Sequence, residues 1–206
     1  TDGDSYIFDN KYKCSFAANE KGVITPIERN GKIFYDFDWL SDPSSSYEVT
    51  DNQDGSYTFT ATGFLSGKTI PTRYFREVSL SNNFPKAGKI YVGGAHTYKD
   101  VPLQENSNWV AEGTQVNLKA VPELGYKFKE WRAVSGENNV IRISDETNSL
   151  TSYTMNKTIE GHKDRINAYF EEAELPISFK PNGGTWVSGY TPPTYYKVSQ
   201  NVALPT

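Results

Sequence analysis

The chain is poor in the residues that usually carry chemistry. Among its 206 residues there is one Cys (Cys14), one Met (Met155) and two His (His96 and His162). A single cysteine excludes an intrachain disulfide, so stability must come from packed cores. Cys14 alternates with Tyr12 and Phe16, which is the setting of a small buried hydrophobe rather than a reactive thiol. The histidines sit in Gly-rich and polar stretches with no Cys or His at ligand spacing, so they read as solvated loop residues and not as a metal motif. No apolar run approaches the roughly 20 residues of a membrane-spanning helix. No secretory leader opens the chain, and Thr1-Asp2-Gly3-Asp4 reads as the edge of a fragment. With a net charge of -4, a pI near 5.3 and no basic stripe, nucleic acid is not expected as a partner. The nucleophile elbow, the phosphate loop and the paired-histidine zinc helix are all missing. No catalytic residue, cofactor or metal site is therefore expected.

What the chain does have is aromatic residues and turn formers. There are 14 Tyr, 11 Phe and 4 Trp, against a mean hydropathy of -0.63. Such a composition suits half-buried strands joined by polar turns. Alternation with a period of two dominates. In Gly113–Trp131, Val116, Leu118 and Ala120 share one face, Val121-Pro122-Glu123-Leu124-Gly125 turns, and Tyr126 and Phe128 resume the alternation. Trp131 then falls out of phase. One extra residue reverses the faces of a strand unless a bulge absorbs it. A bulge or strand end at Lys129–Glu130 is therefore expected, returning Trp131 to the core side.

Further strands are expected over 32–39, 47–50, 56–61, 73–80, 89–92, 140–143, 165–170 and 177–180, with Asp51-Asn52-Gln53-Asp54-Gly55 closing a hairpin. In the first of these, Ile33, Tyr35, Phe37 and Trp39 fall on one face and Phe34 on the other. A short helix around 65–75 or 156–164 is the only helical alternative. Tyr35 to Trp39, Asp51, Tyr57 and Tyr74 reappear in order as Tyr126 to Trp131, Asp145, Tyr153 and Tyr169, which reads as two diverged copies of a unit of about 90 residues. The fold class is mainly β, with little helix: tandem small antiparallel modules of β-sandwich or β-grasp-like form. The expected division is 1–85, 86–173, and a partial third repeat over 174–206. That third segment is too short to fold alone, so it is expected either to pack on the second module or to be a fragment of a longer domain.

Three patterns invite chemistry and have a plainer reading. Asp51–Gly55 has oxygens but not the alternating ligands and terminal Glu of a calcium loop, so it reads as a turn. Asp36 and Asp38, two apart on a strand, form its wet face rather than a glycosidase pair. Trp109, Trp186, Tyr190, Tyr195 and Tyr196 lie in Pro-, Gly- and Asn-rich surroundings. Such rings stack on sugars, anchor protein partners or cover small cores.

Four spaced elements carry a resemblance. Gly113-Thr-Gln-Val-Asn-Leu-Lys-Ala120, Gly125-Tyr-Lys-Phe-Lys-Glu-Trp131, Tyr153-Thr-Met155 and Ile166-Asn-Ala-Tyr-Phe-Glu171 together resemble the divergent InlB B-repeat family of bacterial surface proteins, over about 88–172. The chain departs from that pattern with Tyr153 where Phe is usual, Asn156 where Pro is usual, and a longer loop from Asn156 to Asp164. Ile177-Ser-Phe-Lys-Pro-Asn-Gly-Gly-Thr-Trp186 and Val202-Ala-Leu-Pro205 look like the first half of a Listeria–Bacteroides repeat, without its second half. The hairpin Val49–Thr60 and the strand Arg73–Glu77 are weakly similar to the closing elements of the B-repeats. The resemblance implies a non-enzymatic stalk, spacer or adhesive module of a secreted or cell-wall-linked protein. Its implied partners are neighbouring repeats and a host protein or glycan. A carbohydrate-binding appendage of a secreted glycoside hydrolase is the rival reading. In surface modules of this kind a Lys–Asn isopeptide bond also occurs, and Asn167 is the candidate for it.

Overall fold

The computed structural model describes residues 5–8, 11–16, 21–24, 33–37, 47–61, 65–134, 141–155 and 164–202. Asp38, Trp39 and His162 lie outside them, and of Cys14 only the backbone is described. The strands are β1 (Ser5–Phe8), β2 (Lys11–Phe16), β3 (Lys21–Ile24), β4 (Ile33–Phe37), β5 (Tyr47–Asp51), β6 (Tyr57–Ala61), β7 (Leu65–Asn82) and β8 (Gly88–Gly94). They continue with β9 (Leu103–Glu105), β10 (Ser107–Ala111), β11 (Gln115–Pro122), β12 (Tyr126–Val134), β13 (Leu150–Thr154), β14 (Asp164–Glu172), β15 (Leu175–Pro176) and β16 (Tyr195–Tyr196). Among the described residues, helix is confined to a single 3-10 turn at Tyr98–Asp100. The protein is mainly β, in several small sheets.

A seven-stranded sheet runs β1-β2-β7-β14-β12, with β4 and β10 also paired to β7. Facing it is the four-stranded sheet β13-β11-β8-β9, and β3-β6-β5 forms a smaller sheet. The core between the first two sheets follows from alternation. On β11, Val116 and Leu118 are fully buried while Gln115, Asn117 and Lys119 are exposed. They meet Ile90 and Val92 of β8, Tyr153 of β13, Trp131 of β12, and Ile166, Ala168 and Phe170 of β14. Val78 and Leu80 of β7 belong to the same core. It therefore draws on residues upstream of position 85.

The out-of-phase tryptophan is resolved as the pattern requires. Phe128 pairs with Phe170 and Glu130 with Tyr169, which leaves Lys129 as the bulged residue. Trp131 is completely buried, against Phe128 at 5.2 Å between ring centres. Its indole Nε1 donates to the Asn148 carbonyl at 3.0 Å. The turn before β12 also behaves as expected, with Gly125 at φ +90, a conformation that glycine adopts without strain.

β4 corrects the facing expected for Ile33–Phe37. Phe34 pairs with Tyr74 and Asp36 with Arg73, so Tyr35 is itself a bulge. Phe34 and Phe37 consequently point the same way, 5.1 Å apart, and Tyr57 packs 5.0 Å from Phe37. Tyr35 turns to the other face and packs on Phe75 at 5.1 Å. β4 and β12 both carry a bulge, which strict alternation in Ile33–Phe37 concealed.

Register gives the correspondence between the two strand sets. The Lys21↔Thr60 pair of β3–β6 is matched by Gln115↔Thr154 of β11–β13, and Val49↔Phe59 by the bridge Ile143↔Tyr153. The same displacement carries Phe34 to Phe128, Phe37 to Trp131 and Phe59 to Tyr153, which corrects the expected matching of Trp39 with Trp131 and of Tyr57 with Tyr153. The turns match as well: Asp51 Oδ1 accepts from the Gln53 N–H at 2.7 Å, and Asp145 Oδ1 from the Thr147 N–H at 2.9 Å.

Other elements differ from the sequence reading. Residues 65–75 are strand, not helix, because β7 runs unbroken from Leu65 to Asn82. Ile177–Lys180 is not a strand; the ladder is instead Leu175–Pro176 with Tyr195–Tyr196. Ile143 makes only an isolated bridge. The segment after β14 rests on the β11–β12 turn, where a Cβ on Gly125 would lie 2.2 Å from Val198 Cγ1, and Ser199 Oγ donates to Glu172 at 2.7 Å.

Candidate functional site

β7 positions most of what could act. Its long strand alternates strictly: Tyr74, Arg76, Val78 and Leu80 are buried, while Arg73, Phe75, Glu77 and Ser79 are half-buried on the opposite face. β14 pairs with β7 in parallel, whereas the other ladders between described strands are antiparallel. The two faces carry different groups.

On the inner face lies a buried polar seam. Arg76 is 8% exposed, Asp164 5% and Glu112 3%. Arg76 Nη2 stands 3.6 Å from Asp164 Oδ1, and the Tyr153 hydroxyl donates to Asp164 Oδ2 at 3.3 Å. Glu112 Oε2 accepts from the Tyr74 N–H at 3.2 Å. Burial raises the Asp164 carboxyl above the ordinary aspartate value, with Arg76 and the Tyr153 hydrogen bond opposing the shift. Burial, then the Asp164 charge, pushes the Tyr153 phenol well up. A buried ion pair adds little net stability, but breaking one partner leaves an uncompensated charge. Because Arg76 is on β7 and Asp164 on β14, the seam fixes how these two strands meet.

On the outer face lies an aromatic row. Phe75 packs between Tyr35 at 5.1 Å and Tyr98 at 5.5 Å, and the Tyr35 ring meets His96 at 5.7 Å. Arg73 sits over Tyr35 at 5.1 Å, and its Nε donates to Asp36 Oδ1 at 2.6 Å. Burial, reinforced by the Asp36 charge, raises the Tyr35 phenol. Asp36 is therefore one half of an ion pair rather than one of a carboxylate pair. Half-buried rings beside a guanidinium–carboxylate pair can stack on a sugar or an apolar side chain. The row is hidden in the sequence because plain alternation puts Tyr35 in phase with Phe37, and only the bulge at Tyr35 turns it to this face. The usable signal was Phe75, an aromatic on the polar phase of β7.

The residues expected to bind ligand are not gathered together. Trp109 lies in β10 rather than a loop, half-buried and paired with Glu77 of β7. Trp186 packs on Tyr190 at 5.8 Å and on Phe179 at 6.5 Å, forming a small cluster of its own. Tyr195 and Tyr196 sit on β16, with Tyr195 58% exposed. His96 is exposed and touches Tyr35. Asn167 faces Ser81 on one neighbouring strand and Arg132 on the other, and accepts a hydrogen bond from Ser81 Oγ. No lysine flanks it across either ladder, so the isopeptide expectation at Asn167 is set aside. Asp51 and Asp54 bond within their own turn. Among the described residues, no group of three His, Cys, Asp or Glu side chains could hold a metal ion, and no helix is long and apolar enough to cross a membrane.

The geometry defines a β-rich unit whose core includes Val78 and Leu80 of β7. Residues 95–174 match the divergent InlB B-repeat domain family. No curated protein and no solved structure matches the chain significantly.

Proposed function

We propose that this chain is a non-enzymatic spacer segment of a bacterial cell-surface or secreted protein, exposed outside the cell. In this reading 1–85 and 86–173 are diverged copies of one unit, and 174–206 begins a third. One observation carries it: β7 closes the first unit and continues into the core of the second through Val78 and Leu80. Modules that share a strand cannot swing freely, which suits a stalk. Neighbouring repeats of a longer chain are then its immediate partners.

The rival reading, a carbohydrate-binding appendage, draws on the Phe179–Trp186–Tyr190 cluster and on Trp109. A glycan array separates the two. The spacer reading expects no retained sugar. Binding that is lost in Trp186→Ala or Trp109→Ala transfers the chain to the rival, while binding to a host protein makes it an adhesin. Antibody labelling of intact cells carrying the parent protein tests the location; labelling that appears only after lysis contradicts it.

A further inference from the structure

We infer that the β7–β14 ladder is a mechanical clamp, loaded in shear, that passes tension along the chain while strands β8 to β13 stay folded. The inference deepens the spacer reading.

Direction comes first. Val78 pairs with Asp164, Ser79 with Arg165, Leu80 with Ile166, Ser81 with Asn167 and Asn82 with Ala168, all in parallel. Tension from upstream pulls β7 toward Leu65. Tension from downstream pulls β14 toward Glu172. On parallel strands these pulls act at opposite ends, so the rungs share the load and must fail together. Had the strands been pulled from matching ends, the rungs would peel apart one at a time.

The ladder is also reinforced beyond its rungs. The Asn83 N–H donates to the Ala168 carbonyl at 3.2 Å. The Asn83 side chain then stands in for a further strand residue: its Nδ2 donates to the Phe170 carbonyl at 2.9 Å and its Oδ1 accepts from the Phe170 N–H at 2.8 Å. Ser81 Oγ donates to Asn167 Oδ1 across the same pair. On the core side, Arg76 meets Asp164, and Val78, Ile166 and Ala168 are completely buried, which shields that face of the ladder from water, while Ser81 and Asn83 lie on its exposed side. The opposite edge of β7 is gripped by β10, from Ser107↔Ser79 to Ala111↔Phe75. β7 is thus inserted between two strands of the following module.

The load path therefore runs from β7 directly into β14 and bypasses β8 to β13. Only when the ladder parts are those strands released. Between Val78 and Ala168 the chain pays out about 300 Å of contour at full extension.

Single full-length chains held by their two ends in a force spectrometer test this. One abrupt step of about 300 Å is expected, at the highest force in the trace. In Asn83→Ala the step should keep its length while its lifetime at fixed force falls about tenfold, from the loss of two hydrogen bonds. Asn52→Ala, in the β5–β6 turn, should leave it unchanged. A second geometry uses Phe84→Cys with Glu174→Cys as attachment points in a Cys14→Ser chain, which loads the matching ends of β7 and β14. Rupture there should need several-fold less force. Equal force in the two geometries, an unaltered lifetime in Asn83→Ala, or piecemeal release of β8 to β13 before the ladder parts would each overturn the clamp. Failure of the clamp leaves the spacer reading standing, and sugar binding on the array removes the spacer reading without touching the clamp.

Discussion

Deleting Lys129 should be nearly harmless, and removing the side chain of Trp131 should not. In β12 the bulge places Lys129 and Glu130 opposite a single partner step, between Phe170 and Tyr169. Without Lys129 the order becomes Phe128, Glu130, Trp131, which is plain in–out–in alternation. Trp131 stays in the core. What is lost is the Lys129–Glu171 contact at 3.7 Å, between side chains that are 54% and 41% exposed. Such surface pairs contribute roughly 0–1 kcal/mol. Trp131→Ala, by contrast, empties a fully buried site, at a cost of about 3–5 kcal/mol. It also removes the indole bond to Asn148, worth about 1 kcal/mol. Urea unfolding followed by far-ultraviolet circular dichroism measures both variants against the parent chain. If deleting Lys129 costs as much as Trp131→Ala, the bulge does not set the phase of Trp131 and the reasoning fails.

Other predictions follow from the same contacts. A chain beginning at residue 86 loses Val78 and Leu80 from the core, worth about 3–6 kcal/mol together, and should show far less cooperative unfolding than one beginning at Leu65; equal melting curves would contradict this. Gly125→Ala places a Cβ against Val198 at positive φ, so it should destabilise the β11–β12 turn and expose 175–202 to limited proteolysis; an unchanged digestion pattern would refute the contact. Carboxyl NMR should find Asp145 titrating below the ordinary aspartate value, held down by hydrogen bonds from Thr147, and Asp164 titrating above it because it is buried. The signs are opposite: the Asp145 contribution is present above its unfolded pKa and is lost as pH falls through its folded one. The Asp164 contribution is present below its unfolded pKa and is lost as pH rises through its folded one.

The hairpin Gly113–Trp131 was legible because a two-residue period and a Pro–Gly turn are local, and because one out-of-phase tryptophan admits few remedies. Tyr35 was not, since its bulge leaves the sequence in perfect alternation and only the register with Arg73 and Tyr74 reveals it. The hairpin Tyr47–Ala61 and its Asp-Gly turn could be read for the same local reason as the first. β7 was underestimated because its ends, Leu65 and Asn82, are set by strands from elsewhere in the chain rather than by its own composition. Its parallel pairing with β14 is non-local and has no signature in sequence. Loop-like neighbours mark Trp109, Trp186 and Tyr190 as binding aromatics, yet Trp109 lies in a strand and Trp186 and Tyr190 pack on each other. The row around Phe75 is assembled from β4, β7 and the turn at Tyr98, which no single stretch of sequence shows.

The central claim is that β7 serves two modules by pairing in parallel with β14. Ser81→Cys with Asn167→Cys in a Cys14→Ser chain tests it most directly, because these residues face each other in the ladder at a separation a disulfide can bridge. Oxidation of the folded chain should close the bond quantitatively, read as a mass loss of two hydrogens and as slower electrophoretic unfolding in urea. Two free thiols after oxidation of the natively folded protein would contradict the account.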